Sequence, residues 1–169
     1  MAQATPLSDP KAQKLFEMIK DINIAMLTTH DGGHLRSRPM WIIPDNGRLS
    51  FFTRLSAHKT DEIEANHQVN LSFADPKAQN YVSVSGHARL TRDPGRVAKL
   101  WSEPMRTWFP EGKDDPDLAV VDIEIEAAEY WDAPSSAMVH LYGYVKAAVT
   151  GKPPHPDDNA KLGPISGRH

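Results

Sequence analysis

The sequence predicts a mainly-β domain, an antiparallel barrel closed or nearly closed, with flanking helices over its openings. Three observations carry this. About seven segments alternate apolar and polar residues at the period of a half-buried strand. The connections Asp31-Gly32-Gly33 and Asp45-Asn46-Gly47 are too short for the crossover that a parallel sheet needs, which disfavours a doubly wound fold. The 169 residues, 40% hydrophobic and 24% charged, amount to about one domain, large enough for a core without staples.

The first element reads as a helix. Ser8 or Asp9 caps it, Pro10 suits its first turn, and Leu15, Phe16, Ile19 and Ile22 recur at helical spacing. Ile24 to Thr29 is a short apolar strand, and Asp31-Gly32-Gly33 supplies a tight hairpin. The return strand runs from Leu35 to Ile43 and stops at Pro44; after Asp45-Asn46-Gly47, Leu49 to Thr53 adds a third strand, giving a meander. Ser56 to Asn66 reads as a second helix. Val69, Leu71 and Phe73 alternate with polar residues up to Asp75-Pro76. In the next strand Val82, Val84, Ala88 and Leu90 face one way, Tyr81, Ser83, Ser85, His87 and Arg89 the other, and Gly86 marks a bulge or a sharp bend. Pro94 to Thr107 is helical by content, and 109–117 is a loop. Val121, Ile123 and Ile125 alternate with Asp122, Glu124 and Glu126, and a last strand is expected over Val139 to Val149. Residues 1–149 form the single domain; 150–169, rich in Pro and Gly, are expected to be a poorly ordered tail. A barrel this small fills its interior with side chains, so a ligand belongs outside it or at a subunit junction.

Nineteen basic residues against 22 acidic ones leave a net charge of −3, without the basic excess of a nucleic-acid binder. The chain has no cysteine, which excludes disulfides, thiolate metal sites and cysteine nucleophiles. No apolar run approaches the ~20 residues of a membrane helix. The first residues show no basic segment followed by an apolar one, so the cytoplasm is the expected location.

Two segments are loaded with chemistry. In Arg36-Ser37-Arg38-Pro39-Met40-Trp41, Arg36 and Arg38 project from one strand face and repel unless an anion or carboxylates lie between them; a solvated face paired with surface acids is the alternative. Phe52-Thr53-Arg54-Leu55-Ser56-Ala57-His58-Lys59 crosses from a strand into a helix start, where free N–H groups, the Ser56 hydroxyl and the Lys59 ammonium suit a phosphate. Ser56 as a plain helix cap is the bland reading. His30 and His34 flank a turn and offer two metal ligands without a third. No Gly-x-Ser-x-Gly elbow supports a serine hydrolase. The acidic row Asp122, Glu124, Glu126 reads as the wet side of a strand.

Together, Arg-Ser-Arg-Pro-Met-Trp at 36–41, Phe-Phe-Thr-x-x-Ser-x-x-Lys at 51–59 and Tyr-Val-Ser-Val-Ser-Gly at 81–86 resemble the FMN-binding split β-barrel superfamily of pyridoxamine 5′-phosphate oxidase. Leu100-Trp101, the block Trp108-Phe109-Pro110-Glu111-Gly112-Lys113-Asp114-Asp115-Pro116-Asp117 and Glu129-Tyr130-Trp131-Asp132 resemble its general stress protein 26 branch. The match spans about residues 8–149. The resemblance implies a split β-barrel of six to seven strands and three helices, forming a homodimer with FMN, or FAD, at the subunit interface. It implies that Arg36, Arg38, Pro39, Met40 and Trp41 line the flavin, that Phe52 and Thr53 run along its ring, and that Ser56, His58 and Lys59 grip the phosphate. Tyr81 would approach the ring at the interface. Trp108 or Trp131 would cover it from the partner, or else anchor the core or the dimer. Such a protein would pass hydride or electrons between small molecules, with no nucleic-acid or membrane partner. No general acid or base is identified, and a non-catalytic flavin carrier or sensor, or the same barrel holding F420 or haem, stays open. Ile43 stands where the oxidase has a lysine for its substrate's phosphate. Ala57-His58-Lys59 replaces its Ser-Arg-Lys, and the oxidase's substrate-holding arginine-histidine segment has no counterpart after Val149. Oxidation of vitamin B6 phosphates is therefore not expected.

Overall fold

The computed structural model describes residues 5–132 and 159–166. Its elements in order are β1 (Thr5–Pro6), α1 (Pro10–Lys20), β2 (Ile24–Asp31), β3 (His34–Trp41), β4 (Ile43–Asp45), β5 (Arg48–Arg54), α2 (His58–Ala65), β6 (Gln68–Asp75), β7 (Asn80–Thr91), α3 (Pro94–Leu100), a 3₁₀ segment (Glu103–Thr107), β8 (Leu118–Asp132), β9 (Asn159–Leu162) and β10 (Ile165–Ser166). The strand expected over Val139 to Val149 lies outside the described residues.

One antiparallel sheet runs in the order β3-β2-β6-β7-β8-β5-β4, with β9 joined to β8. β3 and β4 stand at opposite ends of that order, yet they are separated in the chain only by Ile42. The sheet must therefore curl until its two edges meet at one residue, with no ladder between them. This is a split barrel. Ile42 is buried, and its N–H donates to Asn23 O at 2.8 Å, tying the junction to the start of β2.

The meander expected over 24–53 does not form. β2 and β3 pair as a full hairpin from Ile24↔Trp41 to Asp31↔His34, around Gly32 and Gly33 at φ 55° and 94°. β5, however, pairs with β3's continuation only over β4, and takes β8 as its long partner. The reason is two-sided burial. Leu49 and Phe51 enter the main core, while Phe52 enters a second core with Val97, Leu100, Met105, Leu118 and Val120. A strand covered on both faces needs a partner that is also apolar on both, and β8 provides the run Leu118-Ala119-Val120-Val121.

α1 begins as expected, with the Asp9 carboxylate accepting from Lys11 N and Pro10 first in the helix; Leu15 and Ile19 fill the main core. α2 adds Ile63. The single helix expected over 94–107 breaks at Trp101-Ser102, because Pro104 lacks an N–H and disfavours helical geometry before it. Between Ser85 and Gly86 the β7–β8 register slips, the bulge the glycine signalled. A Cβ at Gly86 would fall on the backbone carbonyl of Glu124, so only glycine fits.

The tail expected to be poorly ordered is corrected over 159–166. β9 pairs with β8 from Ala128↔Leu162 to Trp131↔Asn159, beyond the reach of β5, and Leu162 and Ile165 enter the main core. β10 pairs in parallel with β1. Two isolated apolar residues in a Pro/Gly-rich stretch show no period, but they suffice to cover an open sheet edge.

Candidate functional site

As an edge strand, β3 divides its side chains between two environments. Arg36, Arg38 and Met40 lie opposite Thr29, Leu27 and Ala25, the buried face of β2; Leu35, Ser37, Pro39 and Trp41 face outward. Met40 packs on the main core, while both guanidinium groups reach the first turns of α2.

There they meet Glu62, whose side chain is 2% exposed. Arg38 Nη2 donates to Glu62 Oε2 at 2.6 Å and Nη1 to the Thr29 hydroxyl, which donates to the same carboxylate oxygen. Arg36 Nη1 lies 3.0 Å from Asp31 Oδ2 and 3.5 Å from Glu62 Oε1. His58 Nε2 is 3.5 Å from Asp31 Oδ1 and equally far from Glu62 Oε1. Glu62 Oε1 accepts no hydrogen bond from the described residues. Lys59 Nζ donates to the buried Thr53 hydroxyl at 3.3 Å, and no described carboxylate pairs with it.

Burial pushes the Glu62 carboxyl up, but the hydrogen bonds from Thr29 and Arg38 and the charge of Arg36 outweigh it and hold the group below the usual carboxylate range. Burial, then the neighbouring Arg38, pulls Lys59 below the usual ammonium range, with Glu62 partly opposing. The hydrogen bond from Arg36 chiefly lowers Asp31. These residues thus form a compact set of alternating charges in which one cation, Lys59, is paired with none of the described carboxylates.

The expected phosphate turn at Ser56 to Lys59 is divided. Ser56 does not cap α2; Ala57 holds that position, with no side-chain cap. The Ser56 hydroxyl donates to Asp117 Oδ2 at 2.7 Å and its N–H to Oδ1 at 3.0 Å, bonds that hold the Asp117 carboxyl below its usual range. Arg54 braces the same loop through Asp115 at 3.2 Å and sits over the Phe109 ring, 5.6 Å from its centroid. Phe52 is corrected too. Its ring is buried, edge-on to Trp101 at 5.6 Å and tilted against Phe109 at 6.0 Å, so it presents no face to an external ligand.

The outer face of the sheet carries aligned rows. Trp41 pairs with Ile24, Ala74 with Tyr81, and Tyr81 with Trp131, giving an exposed apolar and aromatic row. The rows below it, Pro39-Met26-Ser72-Ser83-Glu129 and Ser37-Thr28-Asn70-Ser85-Ala127, become progressively polar. An open groove of about 510 Å³ lies beside the first row, lined by Ile22, Ile24, Met26 and Trp41. Trp108 ends the 3₁₀ segment and is 68% exposed.

His30 pairs with Leu35, and His34 with Asp31, so the two imidazoles point to opposite faces and do not meet. The nearest ligand set is Asp31, His58 and Glu62, with ligand atoms within 4.8 Å of one another. Arg36 reaches both of its carboxylates, and a cation entering there would be repelled by two guanidinium groups. Sequence reasoning missed Thr29, Asp31, Glu62 and Asp117. Glu62 was within its reach, since it falls one helical turn after His58; Asp117 was not.

A curled sheet whose edges share one residue, with a cluster of cations under its edge strand, defines a protein of the split-barrel class. The family model described as pyridoxamine 5′-phosphate oxidase like matches residues 10–155. The chain is 30% identical over 132 residues to general stress protein 26 of Bacillus subtilis, a match covering 76% of this chain and 94% of that one. A structure of the general stress protein 26 type from Jannaschia sp. CCS1 superposes with TM-score 0.73 at 21% identity, covering 90% of this chain and 98% of that one. The general stress FMN/FAD binding protein of Xanthomonas citri superposes with TM-score 0.65 at 27% identity, covering 73% and 89%. The chain belongs to the pyridoxamine 5′-phosphate oxidase-like family, in its general stress protein 26 branch. No described helix is long and apolar enough to cross a membrane.

Proposed function

We propose that the protein binds a phosphorylated flavin, FMN or FAD, with Lys59, Arg38 and Arg36 at the phosphoryl group. The observation that carries this is the half-buried Lys59 ammonium, hydrogen-bonded to Thr53, beside two arginines and paired with none of the described carboxylates. Burying such a charge is costly unless something anionic joins it, and a phosphate ester supplies that anion with several acceptor oxygens. The Xanthomonas relative named as an FMN/FAD binding protein supports the flavin part of the reading.

Two copies of the chain form the binding unit in this reading. The row Trp41, Ile24, Tyr81, Trp131 is an apolar surface of the kind that seldom stays uncovered, and aromatic residues favour interfaces. That face also offers a flat ring an apolar neighbour. When bound, the flavin supplies the hydride and electron chemistry. The chain anchors the phosphate end, supplies positive charge near it, and through Thr29 and Glu62 fixes the orientation of Arg38. The activity that follows is oxidoreduction of a small molecule in the cytoplasm. Ile43, apolar where a substrate phosphate would need a cation, argues against vitamin B6 phosphates.

Titration of the flavin-free protein with FMN, FAD and riboflavin tests the assignment. Lys59→Ala is expected to weaken FMN and FAD by about 10- to 100-fold, the loss of one charge-assisted contact. Riboflavin affinity should stay the same. Equal weakening of all three would place Lys59 away from the phosphate. Anaerobic mixing of the loaded protein with NADH, NADPH or a reduced deazaflavin then separates enzyme from carrier: bleaching supports turnover, and a flavin that none of them reduces leaves a carrier.

A further inference from the structure

On the face of the sheet opposite to Arg36 and Arg38 lies an open polar groove of about 310 Å³, lined by Thr28, His30, Asn70, Ser85 and Glu126, with Leu35 as an apolar wall. The bulge puts Glu126 there. Ser85 pairs with Ala127 and Gly86 with Ile125, so Glu126 has no residue opposite it. Ile125 and Ala128 are buried, while Glu126 and Ala127 between them both turn outward. An unbroken strand would send one of that pair into the core.

Glu126 also differs from the other carboxylates on that face of β8 in what stands beside it. Asp122 is held by Arg96, Glu124 lies between Arg48 and Arg89, and Glu129 is 3.8 Å from Lys161. Among the described residues no lysine or arginine pairs with Glu126. Its neighbour is His87, with Nδ1 2.6 Å from Oε1, and a histidine is a cation only when protonated. The floor of the groove is held by side-chain bonds. Asn70 Nδ2 donates to the hydroxyls of Ser83 at 3.0 Å and Ser85 at 3.2 Å, its Oδ1 accepts from Ser72 at 2.9 Å, and Thr28 donates to Ser37 at 3.2 Å. The Ser85 oxygen thus accepts from the floor and keeps its own O–H to donate.

We propose that this groove binds a small organic cation, a primary ammonium linked to a hydroxyl, with its N–H groups on the Glu126 carboxylate and its hydroxyl accepting from Ser85. The ammonium supplies the permanent positive charge that every other carboxylate of the row already has, through bonds stronger than those of a neutral donor. Leu35 shields the carbon chain between the two ends. The cations nearest along the strands, Arg48 and Arg89, are engaged by Glu124. The flavin reading is independent of this site, since its cations lie on the other face of the sheet.

Titration of the full chain at pH 8, followed by the NMR signals of the Thr28 and Leu35 methyl groups, tests this with three probes. They are 4-amino-1-butanol, its neutral counterpart 1,4-butanediol, and tetramethylammonium, a cation without N–H donors. 4-Amino-1-butanol should shift both methyl signals saturably, with a dissociation constant of about 1–10 mM, an ordinary strength for so small a ligand. The other two should bind at least about tenfold more weakly. Glu126→Gln should weaken 4-amino-1-butanol at least about tenfold, the loss of a charge-assisted contact. The side chain is 43% exposed and glutamine keeps its shape, so this variant keeps its fold. Glu129→Gln, outside the groove, should leave the affinity unchanged. No saturation by 4-amino-1-butanol, equal binding of either other probe, or an affinity indifferent to Glu126→Gln would each overturn the proposal. Equal weakening by Glu129→Gln would overturn it too, by showing attraction to an acidic face rather than to one carboxylate.

Discussion

Replacing Glu62 by glutamine changes one charge and almost no volume, so its effect on the fold can be worked from the contacts. The carboxylate accepts from Arg38 Nη2 at 2.6 Å and from the Thr29 hydroxyl, with its side chain 2% exposed and that of Arg38 20%. The amide oxygen can take the place of Oε2 and keep both bonds, but the negative charge is gone and the NH₂ stands where Oε1 faced Arg36 at 3.5 Å, so the charge-assisted bonds fall to neutral strength, a loss of about 2 kcal/mol. The expected destabilisation at pH 7 is about 2 kcal/mol, or roughly 4–8 °C in melting temperature for a chain of this size. The pH dependence has a definite sign. Glu62's carboxyl is lowered in the folded protein, because the bonds from Thr29 and Arg38 outweigh burial. Its stabilisation is therefore full above the ordinary carboxylate range and is lost as pH falls through the lowered folded value. Urea unfolding of both proteins across pH 3 to 7 should show a gap that closes toward the acid end. A gap below about 0.5 kcal/mol at pH 7, or one independent of pH, would refute this account of the charge cluster.

Gly86→Val should destabilise by about 3 kcal/mol with an unchanged denaturant slope, since its Cβ meets the Glu124 carbonyl and a strand backbone cannot yield as a side chain does; a loss under about 0.5 kcal/mol would show that the bulge relaxes freely. Arg96→Leu should cost about 3 kcal/mol at neutral pH by stranding Asp122 and Asp45, which its mostly buried guanidinium joins to Ser50. Burial raises the Asp45 carboxyl, but hydrogen bonds from Arg96 and Lys99 prevail and lower it, so this loss should also shrink as the solution is acidified below the ordinary carboxylate range. Melting curves at pH 7 and pH 3 check both the size and the direction.

The hairpin around Gly32-Gly33, the cap at Asp9, the bulge at Gly86 and the alternation of β6 to β8 are legible in the chain, because each depends on residues near one another or on a period of two. The pairing of β5 was not. Turn chemistry shows that Asp45-Asn46-Gly47 reverses the chain, but it does not show that the strand beyond pairs with β4 over only three residues and with β8 along its whole length. What reveals it is burial on both faces, in Leu49–Thr53 and Leu118–Val121, a property of two cores that exist only once the sheet has curled.

The site divides in the same way. The sequence by itself determined the cations: Arg36 and Arg38 share a face because strands alternate, and Lys59 opens a helix beside them. Only the tertiary structure decided how their charge is spent, because Thr29, Asp31 and Glu62 reach them from β2 and α2, and Asp117 reaches Ser56 from a loop 61 residues away in the chain. Electrostatic interactions act through distance and burial, and neither is a property of sequence order.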